Sequence, residues 1–464
     1  MTVSPIFLGS YSVESLRART NATQFTDLKS TMTDLQRQLA TGKLADDWAG
    51  MGTERVTSLD MNARVSILDG YASNITDAQT RLKLMDTSLA QLDKNRSAAI
   101  GELSLDSYQL RSGGTTQGQI LLTGRFNEMI DLLNQDVAGR YVFSGRATDT
   151  KPVASADVIL NGSGSQIGLK TAMANQRTTD LGSGLGGLAV GVSGNVVSIT
   201  KPGAGGMTVS GTSSFDFTTQ PTEGQTFTVK VTLPDGTSQD VTLAASSNPG
   251  AGTSTGAAFQ IGATSAQTAT NFGAAITTAL TNVANTSLWA ASGVKAAQDF
   301  FNGNIANSVQ WYLGDNSATP RQTALVRASD GAPIASGAQA NEAPFRNLLA
   351  SYAVMAADSF PSSNANSPAR YDAVKSRLQT NLAETPGARV ADVQTELALA
   401  SVDINTAKER NAATKSVLQD HISAIEDASP EQIAAQLLSL QTSLQASYQT
   451  ASMVSKLSLV NYLS

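Results

Sequence analysis

Residues 429–464 read SPEQIAAQLLSLQTSLQASYQTASMVSKLSLVNYLS, and this stretch predicts a helix that needs a partner. Ser429 fits an N-cap, Pro430 fits the first helical position, and Gln432 follows the cap by three residues. Apolar residues then recur at heptad spacing, which is typical of a helix that packs along a second helix. The residues of this row are Ile433, Leu437, Leu440, Leu444, Ala451 and Val454.

The final eight residues of the sequence are apolar on most faces of a helix. A chain terminus is usually polar and loosely held. We therefore expect this end to dock against another part of the chain or against another subunit. Its apolar residues are Leu457, Leu459, Val460, Tyr462 and Leu463.

The first part of the chain carries a matching apolar row. A helix is expected from about residue 13 to residue 41, with Gly42 as its stop and a loop at 45–50. The two acidic residues of that loop are best explained as turn and capping residues. The row consists of Phe25, Leu28, Met32, Leu35 and Leu39.

A longer helix is expected from about residue 54 to residue 109. Two apolar rows repeat every seven residues over four heptads, which is a strong indication of a coiled coil. One row is Leu68, Ile75, Leu82 and Leu89, and the other is Ala78, Met85, Leu92 and Ala99. A third helix is expected from about Thr116 to Ala138, with Gly139 as its stop, followed by a short β-like run at 140–145.

The middle of the chain differs in composition. It is rich in Gly, Ser, Thr and Ala, and residues 241–294 contain no charged residue. Alternation at 226–233 and 240–243 predicts a β-hairpin, and 265–283 predicts a helix. A second strand pair is expected between 308–313 and 323–327. Glycine-rich stretches at 182–194 and 247–256 are interpreted as flexible links.

Helical patterns return near residue 344 and continue in a long helix at about 390–425. The predicted fold is therefore mainly α with an inserted β-rich or α+β region. Both chain ends would build a long antiparallel coiled-coil rod, and the middle would form the outer part. The expected domains are a terminal assembly domain (1–43 with 429–464), a rod domain (44–151 with 344–428) and an outer insertion (152–343).

Composition excludes several functions. The 32 basic and 38 acidic residues give a net charge of −6, which is not the footprint of a nucleic-acid-binding protein. There is no cysteine and a single histidine, His421, so thiolate chemistry and histidine-based acid–base or zinc chemistry are not expected. The sequence shows no conventional secretory signal and no apolar run long enough to cross a membrane.

No catalytic, cofactor-binding or metal site is predicted. The run 182–187 (GSGLGG) does not follow a clear strand or open a helix, so it predicts a loop rather than a phosphate-binding site. His421 has no nucleophile or orienting partner that can be named. Another hypothesis is that the middle region is an enzyme. No pair of residues in that region can be named as its acid and base.

Both ends of the sequence resemble the bacterial flagellin family of axial proteins. The resemblance is carried by 35–43 (LQRQLATGK) with Asp46 and Asp47, and by 455–463 (SKLSLVNYL). Within the family, 137–145 (VAGRYVFSG) is similar to the hook–filament junction proteins. Residues 311–315 (WYLGD) and 338–346 (AQANEAPFR) are similar to the junction proteins of some alpha-proteobacteria.

The resemblance implies a structural protein of the flagellum, exported unfolded through the type III export apparatus with a chaperone. It implies a ring of copies of the chain, packed through terminal helices, between the first hook-associated protein and flagellin. The implied location is extracellular, with no membrane insertion. Filament flagellin itself shares both ends of the sequence and stays open as the alternative.

Overall fold

The computed structural model describes residues 10–248 and 257–462, with the side chains of 10–18, 21 and 454–462 left out of the description. The described chain is mainly α-helical with a β part, as expected. Its helices are α1 Ser10–Thr41, α2 Arg55–Leu105, α3 Gln117–Leu133, α4 Ala156–Asn161, α5 Leu169–Leu181, α6 Ser265–Val283, α7 Trp289–Phe301, α8 Ala343–Ala357, α9 Ser367–Leu382, α10 Val390–Glu426 and α11 Pro430–Tyr462.

The chain divides into two compact units. Unit 1 comprises the described residues of 1–74, 328–330 and 406–464, and unit 2 comprises those of 75–327 and 331–405. Unit 1 therefore collects both ends of the chain. Unit 2 contains the strands described below and helices α3 to α9.

In unit 2, α2 and α10 run antiparallel. Gln79 donates to Asn405 over 2.6 Å, and Gln394 donates to Asp86 over the same distance. The apolar rows expected on α2 are buried in this unit, and so is an apolar row on α10, because each helix turns its heptad face inward. Buried row residues in this unit are Ile75, Ala78, Leu82, Met85, Leu89, Leu92, Ala99, Val390, Val393, Leu397, Ala400 and Ile404.

The β part forms small sheets. A four-stranded sheet has the order β11 (Ala257–Gln260), β10 (Ser238–Ser246), β9 (Thr226–Thr232), β7 (Thr208–Ser210). A three-stranded sheet has the order β5 (Ala189–Ser193), β6 (Val196–Thr200), β8 (Ser214–Asp216). Two-stranded ladders are β1 (Asp136–Val137) with β2 (Arg140–Tyr141), β3 (Gly162–Ser163) with β4 (Gln166–Ile167), and β12 (Leu325–Val326) with β13 (Ile334–Ala335).

The hairpin and the helix expected in the middle are confirmed. Strands β9 and β10 pair antiparallel, and α6 has both of its predicted ends. Helix α6 buries its apolar face against the sheets, where Phe272 lies 5.0 Å from Phe215 between ring centroids. Five aromatic rings fill this core, which offsets the low aromatic content elsewhere. They are Phe215, Phe217, Phe227, Phe259 and Phe272.

Two helix ends were predicted wrongly. Helix α2 ends at Leu105, four residues before the predicted end, and Lys375 donates to the Asp106 carbonyl over 2.8 Å. Helix α3 begins after Thr116, which makes a capping box with Gln119, but it ends at Leu133 rather than near Gly139. Tertiary hydrogen bonds hold the chain out of the helix at both places.

Asn134 explains the early end of α3. Its amide accepts from the Val153 N–H and donates to the Val153 carbonyl, over 2.9 and 3.0 Å. Gly139 therefore does not stop a helix. It lies in the tight turn between β1 and β2, where Ala138 and Gly139 both have positive φ, the geometry of a type I′ hairpin turn.

The predicted pairing of 308–313 with 323–327 is also wrong. Tyr312 makes an isolated bridge with Val153, and Ser308 makes one with Ile167. Strand β12 pairs instead with β13. Alternating apolar residues mark a strand, but they do not identify its partner.

The stretch 182–194 is not the flexible link that was predicted. It contains β5 and a glycine turn that packs against a second glycine turn, since a Cβ on Gly187 would lie 2.8 Å from the Ala204 carbonyl oxygen. The glycines at 182–187 therefore allow close backbone approach inside the fold of unit 2. The other predicted link, 247–256, falls largely outside the described residues.

A buried ion pair joins α5 to the end of α8 in unit 2. The Arg177 guanidinium lies 2.7 Å from the Asp358 carboxylate, whose side chain is only 1% exposed. The same guanidinium stacks 3.4 Å from the centre of the Trp289 ring. Burial raises the pKa of Asp358, because the charged carboxylate loses water that Arg177 only partly replaces.

This geometry predicts that Arg177→Leu lowers the free energy of unfolding of unit 2 by about 3–5 kcal/mol, because it leaves a buried carboxylate unpaired. Denaturant unfolding measures the loss. The double variant Arg177→Leu with Asp358→Leu should recover much of it, since no charge then stays buried. A single variant as stable as the wild type would contradict the assignment.

Candidate functional site

Helices α1 and α11, from the two ends of the chain, pack against each other in unit 1. Leu35 of α1 forms a small buried cluster with Ile433 of α11 and Ala428 just before it. Further along, the Phe25 ring meets the Tyr448 ring edge to face, with centroids 4.6 Å apart. The order of these contacts along the chain shows that the two helices run antiparallel.

The predicted assembly residues differ in how far this pair covers them. Leu35 and Ile433 are buried, whereas Leu39 is 45% exposed. Two antiparallel helices can bury only the seam between them, so the remaining row residues keep part of their apolar surface. The half-buried residues are Phe25, Leu28, Met32, Leu437, Leu440 and Leu444.

The rest of the predicted set lies at the end of α11. Val454, Leu457, Leu459 and Val460 are within the range of the helix, but their side chains fall outside the described residues. Leu463 lies outside the described residues altogether.

A polar contact next to α1 and α11 also joins the two halves of unit 1, and we name it the clasp. The Lys43 ammonium lies 2.6 Å from Asp427 and 3.5 Å from Glu426. Backbone bonds run beside it, from the Leu44 N–H to the Glu426 carbonyl (2.8 Å) and from the Ala428 N–H to the Gly42 carbonyl (3.0 Å). The clasp fixes the segments between α1 and α2 and between α10 and α11.

The charges of the clasp shift one another's pKa. Hydrogen bonding to Asp427 raises the pKa of Lys43. Hydrogen bonds from Ser58 and Asn62 to Glu426, together with the Lys43 charge, lower the pKa of Glu426. The bond from Lys43 likewise lowers the pKa of Asp427. The charged forms of all three residues are therefore favoured in the folded chain.

The two acidic residues of the loop after Gly42 make hydrogen bonds or ion pairs close to it in sequence. Asp47 accepts a 2.9 Å hydrogen bond from the Gly50 N–H, and Asp46 pairs with Arg37 at 2.6 Å. The bond of Asp47 is the turn role expected of it, whereas the ion pair of Asp46 was not predicted. Trp48, 41% exposed, lines a cavity of about 250 Å³ with Met51.

The other candidate residues of the sequence analysis do not belong to the α1–α11 pair or to the clasp. His421 is exposed on α10. The glycines at 182–187 lie between α5 and β5 in unit 2, which is not the strand-to-helix setting of a dinucleotide site. In the ranges 10–248 and 257–462, no group of three acidic or histidine side chains is placed to hold a metal ion. No helix in those ranges is long and apolar enough to cross a membrane.

Sequence reasoning missed the clasp. Lys43 and Asp427 are 384 positions apart, and a lysine or an aspartate in a loop gives no signal of its partner. It also missed the contacts of Asp330, which accepts from Tyr71 over 2.6 Å and pairs with Arg64. Charge pairs of this kind are visible only when the fold brings the segments together.

Neither a protein-family model nor a curated protein matches the chain. The class that its fold and candidate surface define is a mainly α-helical protein in which helices from both chain ends pack in one unit.

The clasp predicts acid sensitivity of unit 1. A carboxyl whose pKa is lowered by folding adds stability above its unfolded pKa and loses it as pH falls through the folded pKa. Glu426 and Asp427 should therefore contribute fully at neutral pH and progressively less below about 4.5 and 3.8, their ordinary values. Lys43, with a raised pKa, contributes fully below 10.5 and loses its contribution as pH rises through the folded value.

Glu426→Gln should make the unfolding free energy of unit 1 fall less between neutral pH and pH values below 3.8 than it falls in the wild type. Denaturant titration at the two pH values measures the difference. Glu54→Gln, an exposed acid outside the clasp, serves as the control. Equal pH dependence of Glu426→Gln and wild type would show that the Glu426 carboxylate does not stabilise unit 1.

The small core predicts a matched pair of variants on α11. Ile433→Ala should cost about 2 kcal/mol, because it removes a buried side chain that packs on Leu35. Leu438→Ala should change stability by less than about 0.5 kcal/mol, since Leu438 is 66% exposed. Amide hydrogen exchange of α1 around Leu35 reports both changes, and equal protection in the two variants would contradict the packing.

Proposed function

We propose that this chain is a structural component of the bacterial flagellum that joins hook to filament, of the hook-associated protein 3 type. One observation carries the proposal. Helices from both chain ends pack antiparallel in unit 1, through Leu35, Ile433 and the Phe25–Tyr448 contact, and still leave apolar surface uncovered. That combination suits a subunit whose ends complete their packing on neighbouring copies.

Unit 1 is the smaller unit, yet it contains more than half of the exposed large apolar side chains in the described residues. Exposed apolar side chains that lie together in one patch mark interaction sites, and several of these residues follow one another along α2 and α11. The residues are Leu39, Leu44, Trp48, Val56, Leu59, Ile67, Val417, Leu438, Tyr448 and Met453.

The chain ends would build an antiparallel coiled-coil rod with the outer region inserted between them. The antiparallel contacts of α2 with α10 support this arrangement, through Gln79 and Asn405 in unit 2. In unit 1 the same two helices meet through Lys415 and Asp69. The heptad rows that face these contacts are the pattern from which coiled coils are built.

The role is structural and not enzymatic. The partners in this proposal are further copies of the chain in a ring, the first hook-associated protein on one side and flagellin on the other. Before assembly the chain would pass through the type III export apparatus with an export chaperone, to an extracellular place on the flagellum. No nucleic acid and no membrane insertion are part of the proposal.

Filament flagellin is the second candidate. The antiparallel contact of α1 with α11 supports it equally, because both functions need terminal helices that assemble. The run 137–145, which forms the β1–β2 hairpin and the segment after it, favours the junction protein through its similarity to that subfamily.

Deletion of the coding sequence should leave hooks without filaments, with flagellin shed as monomer into the medium. Electron microscopy of the cells and immunoblotting of the medium measure the two effects. Restoring the wild-type chain should restore filaments, whereas a chain truncated before Pro430 should not. Normal filaments in the deletion strain would contradict the junction role, and hooks that bear no filament without shed flagellin would favour flagellin itself.

A further inference from the structure

Helix α2 carries a second apolar stripe that no described part of unit 1 covers. Val56 is 69% exposed, Leu59 43% and Ile67 45%, and Ala63 between them is also exposed. Their spacings of three, four and four residues put them on one side of the helix. A soluble helix normally turns one apolar side inward and a polar side outward, so this outer stripe is unusual.

Helix α10 has a similar stripe in the same unit. Val417 is 55% exposed, and Ala413, Ala424 and the polar His421 are exposed on the same side of the helix. Each of the two helices thus has an inner face within unit 1 and an outer face that exposes apolar side chains to solvent.

The inner faces fix where the outer stripes point. Helix α2 meets α10 through Asp69 and Lys415, and through Ser58 and Asn62 on Glu426. With about 100° between successive residues, the α2 stripe lies about 120° from its α10-facing side. The α10 stripe lies about 180° from its α2-facing side. Seen along the helix pair, the two stripes therefore point about 120° apart, one on each helix.

Charged residues flank the two stripes in complementary order. On α2, exposed Asp60 borders one side of the stripe and exposed Arg55 the other. On α10, exposed Arg410 borders one side, and exposed Glu409 and Asp420 the other. When the two outer faces meet with the helices antiparallel, the Asp60 side meets the Arg410 side, and the Arg55 side meets the acidic side.

The same charges disfavour an antiparallel symmetric contact. In an antiparallel contact of the α2 stripe with itself, the Asp60 side would meet the Asp60 side of the other copy, and the Arg55 side would meet the Arg55 side. Like charges placed opposite each other destabilise a contact and select against the wrong partner. Among antiparallel contacts, the charge order therefore favours contact between unlike faces.

We propose that the outer stripe of α2 in one copy of this chain packs on the outer stripe of α10 in the next copy. Because the stripes lie on different helices and point about 120° apart, every copy can use both at once. The contact joins unlike faces, so it can repeat from copy to copy. A second copy is the occupant because the chain itself carries both complementary faces. The inference rests on the proposed function in taking the chain to assemble with itself, and it adds a lateral contact distinct from that of α1 and α11.

Cysteine cross-linking tests the contact directly, because the natural chain has no cysteine. The full-length double variant Ile67→Cys with Val417→Cys is treated with a short bismaleimide, in concentrated solution and in cells that produce it. A ladder of dimers, trimers and larger species is expected. Each single variant should give no cross-linked product. The control pair Thr57→Cys with Ala412→Cys, exposed on the same helices but outside the stripes, should give no ladder.

Two results would overturn the inference: no ladder from the double variant in either setting, or dimers from Ile67→Cys alone, which would mean a symmetric contact. Circular dichroism establishes that the variants are folded, as expected for exposed positions. If the double variant gives a ladder but the chain is absent from flagella, the contact is supported and the proposed function is contradicted. If the chain is present in flagella but gives no ladder, the proposed function is supported and the contact is contradicted.

Discussion

The meeting of two distant parts of the chain is the constraint on which unit 1 depends. Lys43 and Asp427 are 384 positions apart, yet one ion pair and two flanking backbone hydrogen bonds join their segments. Beside them, Leu35 packs on Ile433. Neither α1 nor α11 could bury its apolar row alone, because a single helix in water exposes both sides. The apolar side chains of α1 that are buried are therefore buried by α11, and those of α11 by α1.

The long insertion between these ends is compatible with that constraint. The entropic cost of closing a loop grows only with the logarithm of its length, so a longer middle region adds little to it. The middle region also folds around cores of its own, with five phenylalanine rings between α6 and the sheets and a buried ion pair at Arg177 and Asp358. The middle can thus vary in size while the ends keep their contact.

Periodicity predicted the helices and their buried rows well, because a heptad row records which side of a helix is covered. The helix α6 and the hairpin of β9 and β10 were likewise visible in the sequence, in regular spacing and a turn at Pro234–Thr237. Helix ends were less predictable. The end of α3 depends on the bonds of Asn134 with Val153, and a sequence pattern contains no record of such a partner.

The sequence pattern predicted which positions lie in the apolar rows of α1 and α11. It did not predict how far each side chain is buried. Leu35 and Leu39 belong to one row, yet the first is 8% exposed and the second 45%. The difference arises from where α1 meets Ile433 and Ala428, which only the fold decides. The outer stripes of α2 and α10 escaped sequence reasoning for a related reason, since Val56 or Val417 alone looks like an ordinary apolar residue within a helix.

The measurement that tests the account most directly is the position of the chain along the flagellum. Immunogold labelling of intact flagella with an antibody against the insertion, residues 152–343, would give that position in the electron microscope. The account predicts a thin band at the boundary between hook and filament. Label along the whole filament would identify the chain as flagellin, and flagella without label would contradict a flagellar role.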